Sequence, residues 1–288
     1  MKSASTQLKN FLASADSETM KIADLYTITL IDGTVLYYTS ADFDITYSNH
    51  VFLSENACIK RGEISQQTGL SVDDLSIEFN PGTNDFVRGV RMIKSFVDGY
   101  FDGADFRLDL AFFKDGWSSS PLVLEKLFVG TLDIEEISGS YVKGSVKSPV
   151  EKLSCNFPAN CYQSSCHHTL YDDCCGLSKN NFRENNISIA ANSTKNKIYC
   201  TLTRPVGYYN GGVIEFIDGI NAGSKRAIKL HENGVLTLAM PLLFTPDTGD
   251  KFAIYAGCNK SIDMCKTKFN NLANFGGTPF IPEGDSII

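Results

Sequence analysis

The chain has 288 residues, 43% of them hydrophobic and 20% charged, and carries a formal net charge of −7. That is enough apolar material to bury one large or two medium cores, and no low-complexity run, heptad pattern or tandem repeat interrupts it. The acidic balance argues against a non-specific nucleic-acid binder, which presents a basic face to phosphate.

In chain order the pattern is mostly strand. Thr6 to Ala15 has the spacing of a short amphipathic helix, with Leu8, Phe11 and Leu12 on one face. Asp24 to Leu30 and Val35 to Thr39 alternate around Ile31-Asp32-Gly33-Thr34, a hairpin signal because Gly supplies the positive φ of a tight turn. Asp44 to Tyr47 and Val51 to Leu53 suggest a second hairpin through Ser48-Asn49-His50. Leu75 to Phe79 reads as a strand stopped by Asn80-Pro81-Gly82, and Phe86 to Phe96 as one helix ended by Asp98-Gly99. Phe106 to Phe113 and Lys126 to Ser138 return to strand, and Tyr141 to Val146 pairs back through Gly139-Ser140. This first half reads as a β-barrel or sandwich with one or two helices.

In the second half, strands are expected at Ile198 to Leu202, Gly212 to Ile217, Lys225 to Leu230, Val235 to Leu238 and Lys251 to Tyr255. Turn clusters such as Glu232-Asn233-Gly234 separate them, a rhythm that suits a small β-barrel. After Cys265 a short helix and then an extended, Pro-punctuated tail are expected. Phe275, Phe280 and Ile281 make that tail too apolar to stay solvated, so it should pack on its own domain or on a partner.

The nine cysteines are Cys58, Cys155, Cys161, Cys166, Cys174, Cys175, Cys200, Cys258 and Cys265. Cys166 and Cys175 bracket one loop, and Cys258 and Cys265 bracket another some eighty residues on. Thiolates drawn from both ends of a folded unit suit one soft metal centre, either zinc or an iron–sulfur cluster. A disulfide framework and buried free thiols are the alternatives. The start lacks the apolar run of a signal peptide, and the longest apolar stretch, Val235 to Phe244, is broken by Thr237 and Pro241. Cytoplasmic synthesis without a membrane span is therefore expected, where clustered cysteines more often hold metal than disulfides.

Catalytic constellations are scarce. His50, His167, His168 and His231 are the four histidines, and only His167, beside Cys166, invites a nucleophile–base reading. No nucleophile elbow, phosphate-binding loop or zinc-protease motif is present. Asp42 and Asp44 read as polar positions at a strand start rather than a carboxylate pair.

Several segments in fixed order carry a family resemblance. They are A-D-L-Y-T-I-T-L-I-D-G-T-V-L-Y-Y-T-S-A-D-F-D-I from Ala23, G-Y-F-D-G-A-D from Gly99, L-F-V-G-T-L-D from Leu127 and S-C-H-H-T-L-Y-D-D-C-C-G from Ser165. G-D-K-F-A-I-Y-A-G-C-N-K-S-I-D-M-C from Gly249 and K-F-N-N-L-A-N-F-G-G-T-P-F-I-P to Pro282 complete the series. Nearly end to end, the chain resembles the tail-tip hub proteins of long-tailed phages and gene transfer agents. That family is related to the iron–sulfur tail-tip protein of lambda-like phages.

The resemblance implies a mainly β fold with a few short helices: two small β-barrel hub domains plus a Cys-ligated metal-cluster segment. It divides the chain into an N-terminal hub barrel (1–150), a Cys-rich linker with the first ligand pair (151–176), a second small barrel (177–257) and a C-terminal ligand pair, helix and tail (258–288). It implies a structural role without catalysis, with Cys166, Cys175, Cys258 and Cys265 as ligands of a [4Fe-4S] cluster, zinc being the alternative metal. Cys174 and Cys175 are adjacent where family members usually have one cysteine, and Cys175 fits the Cys-Gly position of the motif; the additional Cys155 and Cys161 read as alternative ligands, buried thiols or a pair oxidised after host lysis. The implied assembly is a homotrimer adapting a sixfold tail tube and distal tail protein to a threefold central spike or receptor-binding tail protein, near the tape measure protein. Its place is the virion tail tip, assembled in the bacterial host cytoplasm. An acidic chain suits a lumen through which DNA must slide without being held by Lys or Arg. The other function classes are an iron–sulfur redox protein and a zinc-stapled β-rich binding module.

Overall fold

A computed structural model describes residues 5–13, 20–65, 73–114, 116–118, 120–153 and 162–280. The chain divides into two compact units, Met1–Cys155 and Asn156–Ile288. Both are mainly β with a few short helices.

The first unit carries an antiparallel sheet of seven strands in the order β2-β1-β9-β10-β11-β6-β5. These are β1 (Lys21–Thr29), β2 (Val35–Thr39), β5 (Ile59–Ser65), β6 (Asp74–Phe79), β9 (Asp105–Phe113), β10 (Val123–Ile137) and β11 (Val142–Lys147). Strand β10 is long enough to pair with β9 through its first half and β11 through its second, with bulges at Lys126/Phe128 and Ile134/Glu136 that bend it. The bend curls the sheet round one core, in which Tyr26, Ile28 and Tyr38 from one end meet Ile59, Leu75 and Ile77 from the other. The sheet is a half-barrel, not the closed barrel expected of the first domain: β2 and β5 are its edges and share no ladder. Instead Arg61 on β5 reaches Asp24 on β1 through two bonds, Nε–Oδ2 at 2.6 Å and Nη2–Oδ1 at 3.2 Å. The outer edge of β2 is taken by Leu53, whose amide donates to Tyr37 and whose carbonyl accepts from Thr39.

Short elements seal this sheet. The hairpin β3 (Ile45–Tyr47) and β4 (His50–Phe52) turns through Ser48 and Asn49, both at positive φ. It packs on Ala23, Leu25, Ala111 and Phe113, which alternate with the inward residues of β1 and β9 and so cover the opposite face. Helix α1 (Thr6–Leu12) buries Leu8 and Phe11 against Phe112 and Val123, shorter than the Thr6 to Ala15 expectation. The helix expected over Phe86 to Phe96 is corrected. Phe86–Val87 (β7) and Val90–Arg91 (β8) form a hairpin through Arg88 and Gly89, both at positive φ, and only Met92–Val97 (α2) is helical. Left-handed backbone at Arg88-Gly89 breaks the helical repeat. Strand β5, with its Gly62 and charged residues, carries no alternating apolar signal in the sequence.

The second unit has six strands in the order β12-β17-β14-β15-β16-β13. They are β12 (Arg183–Ser188), β13 (Lys197–Tyr199), β14 (Val213–Phe216), β15 (Lys225–Glu232), β16 (Val235–Leu238) and β17 (Lys251–Tyr255). An antiparallel bridge between Ile189 and Cys200 joins the two outer strands, so the ladder returns to its start. Ile198, Tyr209, Ile214, Phe216, Ile228, Leu236, Phe252 and Ile254 fill the interior. Strand β12, polar and bulged at Glu184/Ile187, has no alternating apolar pattern in the sequence. The helix expected after Cys265 instead contains it: α3 spans Ile262–Thr267, capped by the Ser261 hydroxyl, which accepts from the Met264 amide.

Candidate metal centre

The second unit brings the two cysteine pairs together. Cys166 and Cys175 lie in the loop before β12, Cys258 follows β17, and Cys265 lies on α3. All four line one cavity with Leu170, Leu177, Phe269 and Phe275. Burial pushes the Cys265 thiol above its ordinary pKa, and Cys258, Cys166 and Cys175 add to the shift, as neighbouring thiolates would. Cys174 is exposed and does not line the cavity. Cys200 is a core thiol of the barrel, pushed by burial up to about 12, and Cys58 is exposed. Cys155 and Cys161 lie outside the described residues.

Close backbone approach places Cys258. Gly257 passes so near Asn210, Gly211 and Gly212 that a Cβ there would sit within 3.0 Å of backbone atoms of all three. Tyr171 donates its hydroxyl to the Ala256 carbonyl at 2.9 Å, and the Lys268 ammonium bonds the Gly257 carbonyl at 2.6 Å and the Tyr208 carbonyl. Burial pulls the Lys268 pKa down to about 8, against the opposing pull of Cys258. The loop of the first pair is fixed by Asp172. Its carboxylate accepts from the Cys175 amide at 2.6 Å and the Thr169 amide at 2.8 Å, which hold it below the usual carboxylate range, the Cys175 bond foremost.

The sulfurs meet backbone and amide N–H groups. The Gly276 amide donates to Cys166 Sγ at 3.4 Å, the Lys260 amide to Cys258 Sγ at 3.3 Å, and Asn271 Nδ2 points at Cys175 Sγ at 3.9 Å. Such donors stabilise charge on sulfur and hold ligand geometry. Sequence reasoning named the four cysteines but none of Asp172, Lys260, Lys268, Asn271 or Gly276. Their only sequence signal is that they sit within the ordered segments quoted above, Asp172 and Lys260 beside the cysteines and Lys268, Asn271 and Gly276 in K-F-N-N-L-A-N-F-G-G, because their partners lie far away along the chain.

The His167 ring packs on His168 at 4.3 Å between centroids, His168 lines the same cavity as the four cysteines, and the Cys166 thiol sulfur accepts from the Gly276 amide. His231 is buried in the second barrel, where burial lowers its pKa, and His50 stacks on Tyr37 in the first unit. Among the described residues no helix is long and apolar enough to cross a membrane.

Comparison with known proteins places this arrangement. The family described as "Baseplate hub protein, N-terminal attachment domain" matches residues 5–178, more than half of the chain. The chain belongs to that baseplate hub family. The hub protein also matches the family described as "Phage conserved hypothetical protein BR0599" over residues 207–285, which include Cys258 and Cys265. Among solved structures, a chain from "Virion of native gene transfer agent (GTA) particle" shares its fold, with a TM-score of 0.71. The likeness covers 98% of the hub protein and 94% of that chain at 22% identity. No curated protein matches it. The hub protein is thus a structural virion protein of the phage baseplate type.

The donor set bears on which metal the hub protein suits. Among the described residues no three His, Cys, Asp or Glu side chains are grouped to hold one metal ion. Four thiols on the wall of one cavity, with N–H groups aimed at Cys166 and Cys258 sulfur, make a donor set that suits a soft thiolate-held centre.

Proposed function

We propose that this hub protein sits at the tail tip of a siphophage-type phage or gene transfer agent. It acts there as a trimer between the sixfold distal tail ring and a threefold central spike or receptor-binding protein, with the tape measure protein as a further neighbour. Support comes from a shared fold over nearly the whole chain, together with the family match at the N-terminal attachment domain. Two β-rich units per chain suit the reading, because three copies would then present six similar units to a sixfold ring. The symmetry-resolved image of the intact particle tests it. Density for this chain in the capsid or in distal fibres, or its absence from the particle, refutes it.

We further propose that Cys166, Cys175, Cys258 and Cys265 hold a [4Fe-4S] cluster that ties the loop before the second barrel to the segment after it. The observation that carries this is the convergence of four thiols, from positions nearly a hundred residues apart, on one cavity. When bound, such a cluster supplies a covalent staple rather than reactivity; the chain's own part is to present four thiolates and shield them with Phe269, Phe275 and Leu177. Protein purified without oxygen should be brown and contain iron and acid-labile sulfide. Stoichiometric zinc without iron would favour the zinc-stapled module instead. Phe280, 90% exposed, has no packing partner on the described chain, so the expectation that it docks passes to a neighbouring protein in the particle.

A further inference from the structure

Two residues of the C-terminal segment tie a cysteine of the first pair to a cysteine of the second. Lys260 does so with its backbone: its carbonyl accepts from the Cys166 amide at 2.9 Å, and its amide donates to Cys258 Sγ. Asn271 does so for the other two. Its amide nitrogen donates to the Cys265 carbonyl at 3.0 Å, and its carbonyl accepts from the Cys265 thiol at 3.2 Å. Its side-chain Nδ2 donates to the Cys175 carbonyl at 2.6 Å and points at Cys175 Sγ. Asn274 Nδ2 donates to Asn271 Oδ1 at 2.9 Å, which turns the Asn271 amide so that its N–H2 faces Cys175.

We propose that Asn271 is a positioning residue that presents Cys175, and not the adjacent Cys174, to the metal centre. The inference rests on the cluster reading above. Neighbouring cysteines in a loop have equal chemistry, so only geometry can choose between them. Cys175 is clamped from both sides, its amide by Asp172 and its carbonyl by Asn271, with Asn274 also reaching that carbonyl at 3.3 Å. Cys174 lies exposed outside the cavity. Asp172 belongs to the same loop and moves with it, whereas Asn271 is anchored to Cys265 on the far side of the centre. Asn271 therefore sets where Cys175 stands relative to the second pair. Gly276 and Gly277 follow Asn274 where side chains have no room, since a Cβ on Gly276 would run into the His168 and His167 rings and one on Gly277 would come 2.7 Å from the Phe275 ring.

The test uses the full chain, purified and loaded anaerobically, and reads two quantities besides metal content. Thiol alkylation mapped by mass spectrometry should label Cys174 and spare Cys175 in the wild type. In Asn271→Leu, Cys175 labelling should rise at least roughly tenfold, and iron loss to a chelator should quicken by about 10-fold to 100-fold, the usual cost of removing a second-shell partner. The reduction potential should fall, since a donor near a cluster sulfur is gone. Cys200, in the barrel core, must stay protected in the variant as proof of folding. If it does not, Asn274→Ala, which removes the bond orienting the Asn271 amide, must show the same selective labelling. Iron-loaded wild type and Asn271→Leu with equal Cys175 labelling and equal potential would overturn the proposal alone. Wild type without iron, matched by Cys175→Ser, would overturn the cluster and the proposal with it.

Discussion

Replacing Gly257 by Ala should separate the second unit from its metal centre. Gly257 stands directly before Cys258, at a crossing where the chain after β17 passes the turn Asn210-Gly211-Gly212 with no room for a side chain. A methyl there would lie within 3.0 Å of backbone atoms in all three residues, whereas ordinary contact begins at 3.4 Å. The obstruction is backbone on every side, so no rotamer can relieve it, and Gly257 has no positive φ whose strain would confuse the reading. Overpacking of this kind costs about 1–3 kcal/mol. For a unit of this size each kcal/mol moves the melting temperature by about 3–6 °C, so a fall of roughly 5–15 °C is expected. The displaced Cys258 should also lower iron content. Thermal melting followed by circular dichroism, with iron and sulfide assayed on the same sample, measures both. The control is Gly139→Ala, where nothing lies within 4 Å of the new methyl and stability should change by less than about 0.5 kcal/mol. A Gly257→Ala protein that melts with the wild type and keeps its iron would refute the close-approach argument.

Other outcomes follow from the same geometry. Arg61→Ala breaks the paired bonds across the open seam of the half-barrel and leaves the Asp24 carboxylate, among the described residues, with the Tyr26 hydroxyl. It should lower the stability of the first unit by about 1–3 kcal/mol in urea titration, and no loss would mean the seam is held by the core alone. Cys175→Ser should abolish the iron centre while Cys174→Ser spares it, as read by iron and sulfide content; the reverse result would move the ligand to Cys174. The second unit should lose stability as pH falls. Burial holds His231 below its ordinary pKa, and the Tyr255 hydroxyl, with Lys225 and Arg183, holds Glu215 below its own. At both groups the unfolded chain binds more protons than the folded one, so their contribution is complete above about pH 6.5 and is lost step by step on acidification. Melting temperatures measured from pH 7 to pH 4 should decline, and His231→Phe should flatten the upper part of that slope.

Hairpins with a glycine or asparagine turn and strands of alternating polarity were legible from residues alone. The β1–β2 turn at Asp32-Gly33 and the strands Val235–Leu238 and Lys251–Tyr255 stand where the pattern put them, because period-two alternation is a local consequence of one buried face. The β5 and β12 strands were not legible, since both are edge or bulged segments rich in polar residues and are recruited by their neighbours' ladders. The mistaken helix at Phe86 to Phe96 has the same origin: apolar spacing cannot see a left-handed turn at Arg88-Gly89.

By itself the sequence determined that the protein is β-rich, that four of its nine cysteines fall in two distant pairs, and which ordered segments it shares with a hub family. Those properties live in residue identity and spacing. The tertiary structure alone decided that the first sheet stays open across an Arg61–Asp24 clasp and that the two pairs face one cavity. It also decided that Cys175 rather than Cys174 is turned inward. Each of these depends on contacts between residues far apart in the chain, Asn271 with Cys175 above all, and no local pattern of side chains encodes which distant backbone group will meet them.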